Sequence, residues 1–133
     1  MLKAKDIMTE DVISVKKETP IYKALELLEK HNISGVPVVE DDMTLIGILS
    51  ERDALRLFHT SEDVENKTVD DYMTQPVIFF DKEESLVDIC RCLTDNFFRR
   101  IPVTSKGKLI GIVSRKDIIK EILRTRSKSA GVG

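Results

Sequence analysis

The sequence predicts a mixed α/β (α+β) fold built from two copies of one small unit, and three observations carry that prediction. The first is an internal repeat, the feature to seek before any other. Shifted by 65 residues, Asp6-Ile7-Met8-Thr9 falls on Asp71-Tyr72-Met73-Thr74, Val12-Ile13 on Val77-Ile78, and Val36-Pro37-Val38 on Ile101-Pro102-Val103. After one single-residue gap, Leu45-Ile46-Gly47-Ile48-Leu49-Ser50 falls on Leu109-Ile110-Gly111-Ile112-Val113-Ser114, and Asp53 on Asp117. The second is a helical stripe, Ile21, Ala24, Leu25 and Leu28, which recurs at the same offset as Leu86, Ile89, Cys90 and Leu93. The third is a pair of short β-branched runs after each stripe, at 36–39 and 45–49, then 101–104 and 109–113.

Each unit therefore reads strand, helix, strand, strand, helix, after a short lead-in of the Asp-Ile-Met kind. Thr19 is the expected N-cap of the first long helix, with Pro20 at its first helical position. The strand pairs turn at Asp41-Asp42 and at Lys106-Gly107, and closing helices are expected over 51–58 and 115–125. Residues 59–68 are polar and aperiodic, a linker of ordinary length. From Arg126 the chain reads as a frayed end. The expected division is one domain over 1–58, a linker over 59–68, a second domain over 69–125 and a flexible tail over 126–133. A unit of roughly 55 residues is marginal by itself, and two copies can cover each other's sheet, so the pair is the expected folding unit.

Composition agrees with that scale. The chain has 133 residues, 41% of them hydrophobic and 33% charged, and a chain of this mass buries about two-thirds of its unfolded surface, enough for a core without a metal or disulfide staple. The longest apolar runs, 45–49 and 77–80, fall far short of the ~20 residues of a membrane span, and the amino terminus has no apolar signal core. A soluble, cytoplasmic chain with no membrane span is expected. Net charge −2 and a pI of 5.7 oppose a dedicated nucleic-acid binder. Charge is uneven: residues 1–66 hold 8 Lys/Arg against 14 Asp/Glu, and residues 67–133 hold 13 against 9. Cys90 and Cys92 are about 200° apart on a helix, cannot chelate one metal together, and are expected as buried thiols in a reducing compartment. His31 and His59 are expected near helix ends without a metal.

The informative motif is Gly47-Ile48-Leu49-Ser50-Glu51-Arg52-Asp53, echoed by Gly111-Ile112-Val113-Ser114-Arg115-Lys116-Asp117. One reading is a capping box, in which Ser accepts a first-turn amide and Asp returns a bond to the Ser amide. The other is a nucleoside site. A helix start offers N–H groups to phosphate, a carboxylate there can accept both ribose hydroxyls, and the Gly lets a ligand approach the strand. Arg99 and Arg100 suit phosphate, and the first copy has Ser34 and Gly35 in their place. Phe98 is expected in the core and Phe97 at the surface. There is no nucleophile elbow, His-Glu-x-x-His or P-loop, and Asp53 and Asp117 have no evident partner base, so an enzyme is not expected.

The doubled Asp-Ile-Met-Thr/Asp-Tyr-Met-Thr lead, the apolar-Pro-Val strand and the Gly-x-x-Ser-x-x-Asp ending resemble a tandem pair of CBS domains, the Bateman module, over about residues 4–124. The resemblance implies two β-α-β-β-α units packed sheet to sheet with pseudo-twofold symmetry, commonly paired into a disc-like homodimer. It implies binding of AMP, ADP, ATP or S-adenosylmethionine in the clefts between units, with no cofactor required. Carried onto this chain, the first cleft takes Ser50 and Asp53, with Asp53 on the ribose. Backbone of Gln75, Pro76, Val77 and Ile78 would serve adenine, and Arg99 and Arg100, leading into Ile101 and Pro102, would serve phosphates. The second takes Ser114 and Asp117, with Glu10, Asp11, Val12 and Ile13, then Ser34, Gly35, Val36 and Pro37, and Lys116 toward phosphate. Charged nucleotides are expected to bind more tightly in the first. The expected function is a regulatory ligand sensor acting on an effector protein in trans. The alternatives are a structural dimerisation module with vestigial clefts, or a regulatory piece of a larger transporter or enzyme.

Overall fold

The computed structural model describes residues 1–59, 64–96 and 99–131, the last four by backbone alone. In chain order the elements are α1 (Ala4–Ile7), β1 (Val15–Lys16), α2 (Ile21–Lys30), β2 (Gly35–Val39), β3 (Leu45–Ser50) and α3 (Glu51–Leu55). Three short 3-10 turns follow, Arg56–His59, Val64–Asn66 and Val69–Asp71. Then come β4 (Phe80–Asp81), α4 (Leu86–Asp95), β5 (Arg100–Ser105), β6 (Lys108–Ser114) and α5 (Arg115–Gly131). The strands form two three-stranded sheets, β1-β2-β3 and β4-β5-β6. In each, the short first strand runs parallel to the second, with Val15 opposite Val38 and Phe80 opposite Val103. The mixed architecture and the duplicated strand order match the sequence reading.

The chain forms two compact units, and they do not coincide with the two sequence repeats. One unit holds residues 1–12, 78–106 and 110–133; the other holds 13–77 and 107–109. The lead-in of each repeat thus belongs to the unit built from the other repeat. Hydrogen bonds and burial account for the exchange. In the first unit the Ala4 amide donates to the Glu84 carbonyl (2.9 Å), the Lys5 amide to that of Lys82 (3.0 Å) and the Leu86 amide to that of Leu2 (3.0 Å). Ala4 is fully buried there among Ile89, Leu93, Ile101, Val103 and Val113. Glu83 then grips the lead-in with Lys3 (2.6 Å) and Lys5 (2.8 Å). In the other unit Val69 and Tyr72 sit in a cluster with Val15, Ile21, Ala24, Leu28, Val36, Val38 and Leu49. The Val69 amide donates to the Thr19 carbonyl (2.9 Å), and the Ile21 amide to that of Lys67 (3.0 Å). The Asp of each lead-in has a local task as well: Asp6 accepts the Lys3 amide (2.8 Å), and Asp71 the Thr68 amide (2.8 Å).

Several local expectations shift. The N-cap of α2 is Pro20, not Thr19; the Thr19 hydroxyl instead accepts the Lys16 amide (3.1 Å). The equivalent helix α4 takes a hydroxyl cap, Ser85 accepting the Asp88 amide (3.2 Å). Helix α2 ends with Asn32 at φ 51° and with the Ile33 amide donating to the Leu28 carbonyl (3.0 Å) and that of Asn32 to Glu29 (3.1 Å), a Schellman closure. The closing helix expected over 51–58 is α-helical only to Leu55 and tightens into a 3-10 turn to His59. Helix α5 runs through Gly131, well past the frayed end expected from Arg126; no Pro or Gly interrupts it before Gly131. The β5–β6 turn has Lys106 at φ 52° and Gly107 at φ 81°, the two positive values a two-residue hairpin turn requires. His31 caps α2 and His59 ends its 3-10 turn, both exposed. Cys90 and Cys92 are half-buried rather than buried, and both are free thiols. The expectations for Phe97 and Phe98 lie outside the described residues.

Candidate functional site

The repeated Gly-x-x-Ser-x-x-Asp motif lies where a strand runs directly into a helix, β3 into α3 and β6 into α5. In the unit of residues 13–77, Ser50 is the N-cap of α3 and forms a reciprocal box with Asp53. The Ser50 amide and hydroxyl donate to Asp53 Oδ2 at 2.8 and 3.0 Å, and the Asp53 amide returns a bond to Ser50 Oγ at 3.3 Å. The other oxygen, Oδ1, accepts the Thr74 hydroxyl at 2.9 Å and lies 3.6 Å from Arg56 Nη2. Asp53 is only 7% exposed, so its oxygens are satisfied by these donors rather than by water.

The unit of residues 1–12, 78–106 and 110–133 repeats the arrangement. Asp117 Oδ2 accepts the Ser114 amide (2.8 Å) and hydroxyl (3.0 Å), and Oδ1 accepts the Thr9 hydroxyl (3.2 Å). Thr9 and Thr74 are site residues that the sequence reading does not include, although the doubled Met-Thr is a visible signal for them. Each threonine is held by a two-way backbone bridge, Thr74 with Ile48 (2.8 and 3.2 Å) and Thr9 with Ile112 (2.8 and 2.9 Å).

That bridge also explains the glycines, in a way that corrects the sequence reading. The approach permitted by Gly47 and Gly111 is that of the chain's own Met-Thr segment. A Cβ on Gly47 would stand 2.9 Å from Met73 Sδ and 3.1 Å from the Thr74 carbonyl oxygen. On Gly111 it would stand 2.5 Å from Met8 Sδ and 3.1 Å from the Thr9 carbonyl oxygen.

The other expected residues divide between the units. Of the first set, Gln75, Pro76 and Val77 accompany Ser50 and Asp53, whereas Ile78 and Arg99 to Pro102 belong to the other unit. Of the second set, Lys116 and Glu10, Asp11 and Val12 accompany Ser114 and Asp117, whereas Ile13 and Ser34 to Pro37 belong to the other unit. Gln75 donates its side-chain amide to the Ile46 carbonyl (2.9 Å). Val36, Pro37, Ile101 and Pro102 are buried core residues with no free side-chain surface. Glu10, Asp11, Gln75, Pro76, Ile78, Arg99 and Lys116 are exposed, and Val12, Ile13, Ser34, Gly35, Val77 and Arg100 half-buried. The Arg99 carbonyl accepts the Arg115 amide (3.2 Å), and the Ser34 carbonyl accepts that of Glu51 (2.9 Å), so each pre-proline segment closes the backbone of the helix start in its own unit. Among the described residues no group of three His, Cys, Asp or Glu is placed to hold a metal.

The family model of the CBS domain matches the chain twice, over residues 4–60 and 69–124. The chain belongs to the CBS-domain family. The Methanocaldococcus jannaschii protein MJ1225 is 40% identical over 116 residues, 87% of this chain and 41% of its own length. The chloroplastic CBS-domain protein CBSX2 of Arabidopsis thaliana is 30% identical over 154 residues, 93% of this chain and 65% of its own. The chain thus spans between about two-fifths and two-thirds of these relatives' length. Among solved structures, CBSX2 in complex with AMP is 32% identical with a TM-score of 0.84, covering 95% of this chain and 99% of that one. The CBS pair of protein MJ0100, in complex with 5-methylthioadenosine and S-adenosyl-L-methionine, is 25% identical with a TM-score of 0.77, covering 94% and 98%. The mixed α/β fold with two three-stranded sheets that the repeat predicts is that of these CBS-pair structures. No helix among the described residues is long and apolar enough to cross a membrane.

Proposed function

We propose that this CBS pair is a sensor of adenosine-containing nucleotides that regulates a separate effector protein and performs no catalysis of its own. The observation that carries the reading is the AMP complex of CBSX2, which shares the fold over 95% of this chain; the S-adenosylmethionine complex of MJ0100 adds a second adenosine ligand. Asp53 and Asp117 are the proposed ribose acceptors, each set at a strand-to-helix junction by Ser50 or Ser114. Gln75 to Ile78 with Arg99 to Pro102 complete the first proposed ligand set. Glu10 to Ile13 with Ser34 to Pro37 and Lys116 complete the second. AMP, ADP, ATP and S-adenosylmethionine are the proposed ligands, a homodimer the proposed assembly and the cytoplasm the proposed location, with residues 1–58 and 69–125 the proposed domains. Regulation follows if ligand favours one conformation of the pair over another.

A structural dimerisation role is supported by a different observation, namely that both oxygens of each aspartate already have internal partners. A thermal-shift panel separates the two readings. It uses AMP, ADP, ATP, S-adenosylmethionine, GMP and a cyclic dinucleotide, on the wild type and on Asp53→Ala and Asp117→Ala. A ligand at 100 times its Kd stabilises by ~2.7 kcal/mol. With an unfolding entropy of ~2.1 cal/mol/K per residue over this chain's 133 residues, the midpoint rises by about 10 °C. An adenosine-specific rise that an Asp substitution abolishes supports the sensor. A flat panel transfers the assignment to the structural module.

A further inference from the structure

The two proposed ribose acceptors are not electrically alike, and the difference lies in residues outside the shared motif. An ionised carboxylate has about four acceptor positions. At Asp53 three are filled by the Ser50 amide, the Ser50 hydroxyl and the Thr74 hydroxyl, and the Arg56 guanidinium faces Oδ1 at 3.6 Å. At Asp117 three are filled in the same way by Ser114 and Thr9, but no cation pairs with it among the described residues. Asp117 is also half-buried, where Asp53 is buried.

Arg56 is held in place independently of Asp53. Its Nη2 donates to the Tyr72 carbonyl, and its guanidinium carbon lies 5.4 Å from the centroid of the Tyr72 ring, within cation–π range. Both anchors are peculiar to this copy: the repeat places Lys120 at the position of Arg56 and Ile7 at that of Tyr72. A lysine cannot reproduce the planar fork, and an isoleucine offers no aromatic face.

We propose that Arg56 is a resident counterion of Asp53, so that the chain takes a ribose hydroxyl first at the open acceptor position of Asp117 and reaches that of Asp53 only by displacing the guanidinium. This rests on the assignment of both aspartates as ribose acceptors. It concerns the sugar alone, and uncharged adenosine is the probe that leaves phosphate contacts out.

The test is calorimetric titration of the full chain with adenosine. Wild type is expected to bind in two unequal steps, and Asp117→Asn to lose the tighter one. Arg56→Met is expected to strengthen the weaker step about five-fold, the equivalent of losing a partly exposed ion pair. Arg56→Gln, which keeps a donor for the Tyr72 carbonyl without the charge, is expected to do the same, and guards against an effect of misfolding. Two equal steps in wild type, loss of the weaker step in Asp117→Asn, or unchanged affinities in both Arg56 variants would overturn the proposal while leaving the nucleoside reading intact. Absence of adenosine binding where AMP still binds would overturn the proposal alone, and absence of binding by both would overturn the nucleoside reading with it.

Discussion

Replacing Gly111 by alanine tests whether the motif glycine serves the chain's own lead-in. The new Cβ would stand 2.5 Å from Met8 Sδ, 2.9 Å from Met8 Cγ and 3.1 Å from the Thr9 carbonyl oxygen. The sulfur can swing away, but the carbonyl is tied to the Ile112 amide at 2.9 Å and cannot yield without loosening that bridge. Overpacking of this kind costs ~1–3 kcal/mol, from which the lower entropy of an unfolded alanine returns ~0.4–1 kcal/mol. A net loss of about 1–2 kcal/mol is expected, which at ~0.28 kcal/mol/K for a chain of this length lowers the midpoint by about 4–7 °C. Gly47→Ala meets the Thr74 carbonyl oxygen at the same 3.1 Å but is expected to cost less, because the Met73 side chain stands further off than Met8, with only Sδ at 2.9 Å. Circular-dichroism melts supply the midpoints, and amide exchange at Thr9 and Ile112 supplies the local readout. Met8→Ala in the Gly111→Ala background should recover roughly 1 kcal/mol relative to additivity, since the two residues share one space. A Gly111→Ala melt within 2 °C of wild type, or strict additivity with Met8→Ala, would refute the account of the glycine.

Two further predictions concern the turn and the lead-in. Gly107→Ala meets no atom within 4 Å, yet its φ of +81° should cost ~1 kcal/mol through the left-handed backbone alone; Gly107→Asn should cost less, and equal urea midpoints for the two would contradict this. Glu83, hydrogen-bonded by Lys3 and then Lys5, has its pKa lowered to about 2 from 4.5. A carboxylate depressed on folding contributes stability that is complete above its unfolded pKa and disappears as pH falls through the folded one. The grip on the lead-in should therefore weaken between about pH 4.5 and 2. A carboxyl titration by NMR should place the Glu83 midpoint near 2, and a Lys3→Ala/Lys5→Ala chain should return it toward the ordinary range; an ordinary midpoint in wild type would contradict the grip.

Features set by neighbours in sequence were legible without coordinates. The 65-residue repeat, the stripes Ile21-Ala24-Leu28 and Leu86-Ile89-Leu93, the strand pairs and the Ser-x-x-Asp boxes all depend on side-chain periodicity and on bonds spanning three or four residues. These are nearly the same in any tertiary context, so the fold class and the location of the two carboxylates followed from the letters. Local pattern was weaker at element ends, where Pro20 displaced Thr19 as N-cap and α5 continued to Gly131.

What only the tertiary structure decided is which parts of the chain share a unit. Ala4 joins residues 78 onward, and Val69 joins the sheet of the first repeat, through bonds between residues some 50 to 80 positions apart. Two similar lead-ins and two similar sheets make either pairing compatible with the same hydrophobic pattern, so no periodicity distinguishes them. That exchange brings Thr74 to Asp53 and Thr9 to Asp117, and it sets Tyr72 beneath Arg56. The aspartates were readable from the motif; their partners were not, because a hydrogen bond between distant residues depends on where the backbone returns, and only the packed chain fixes that.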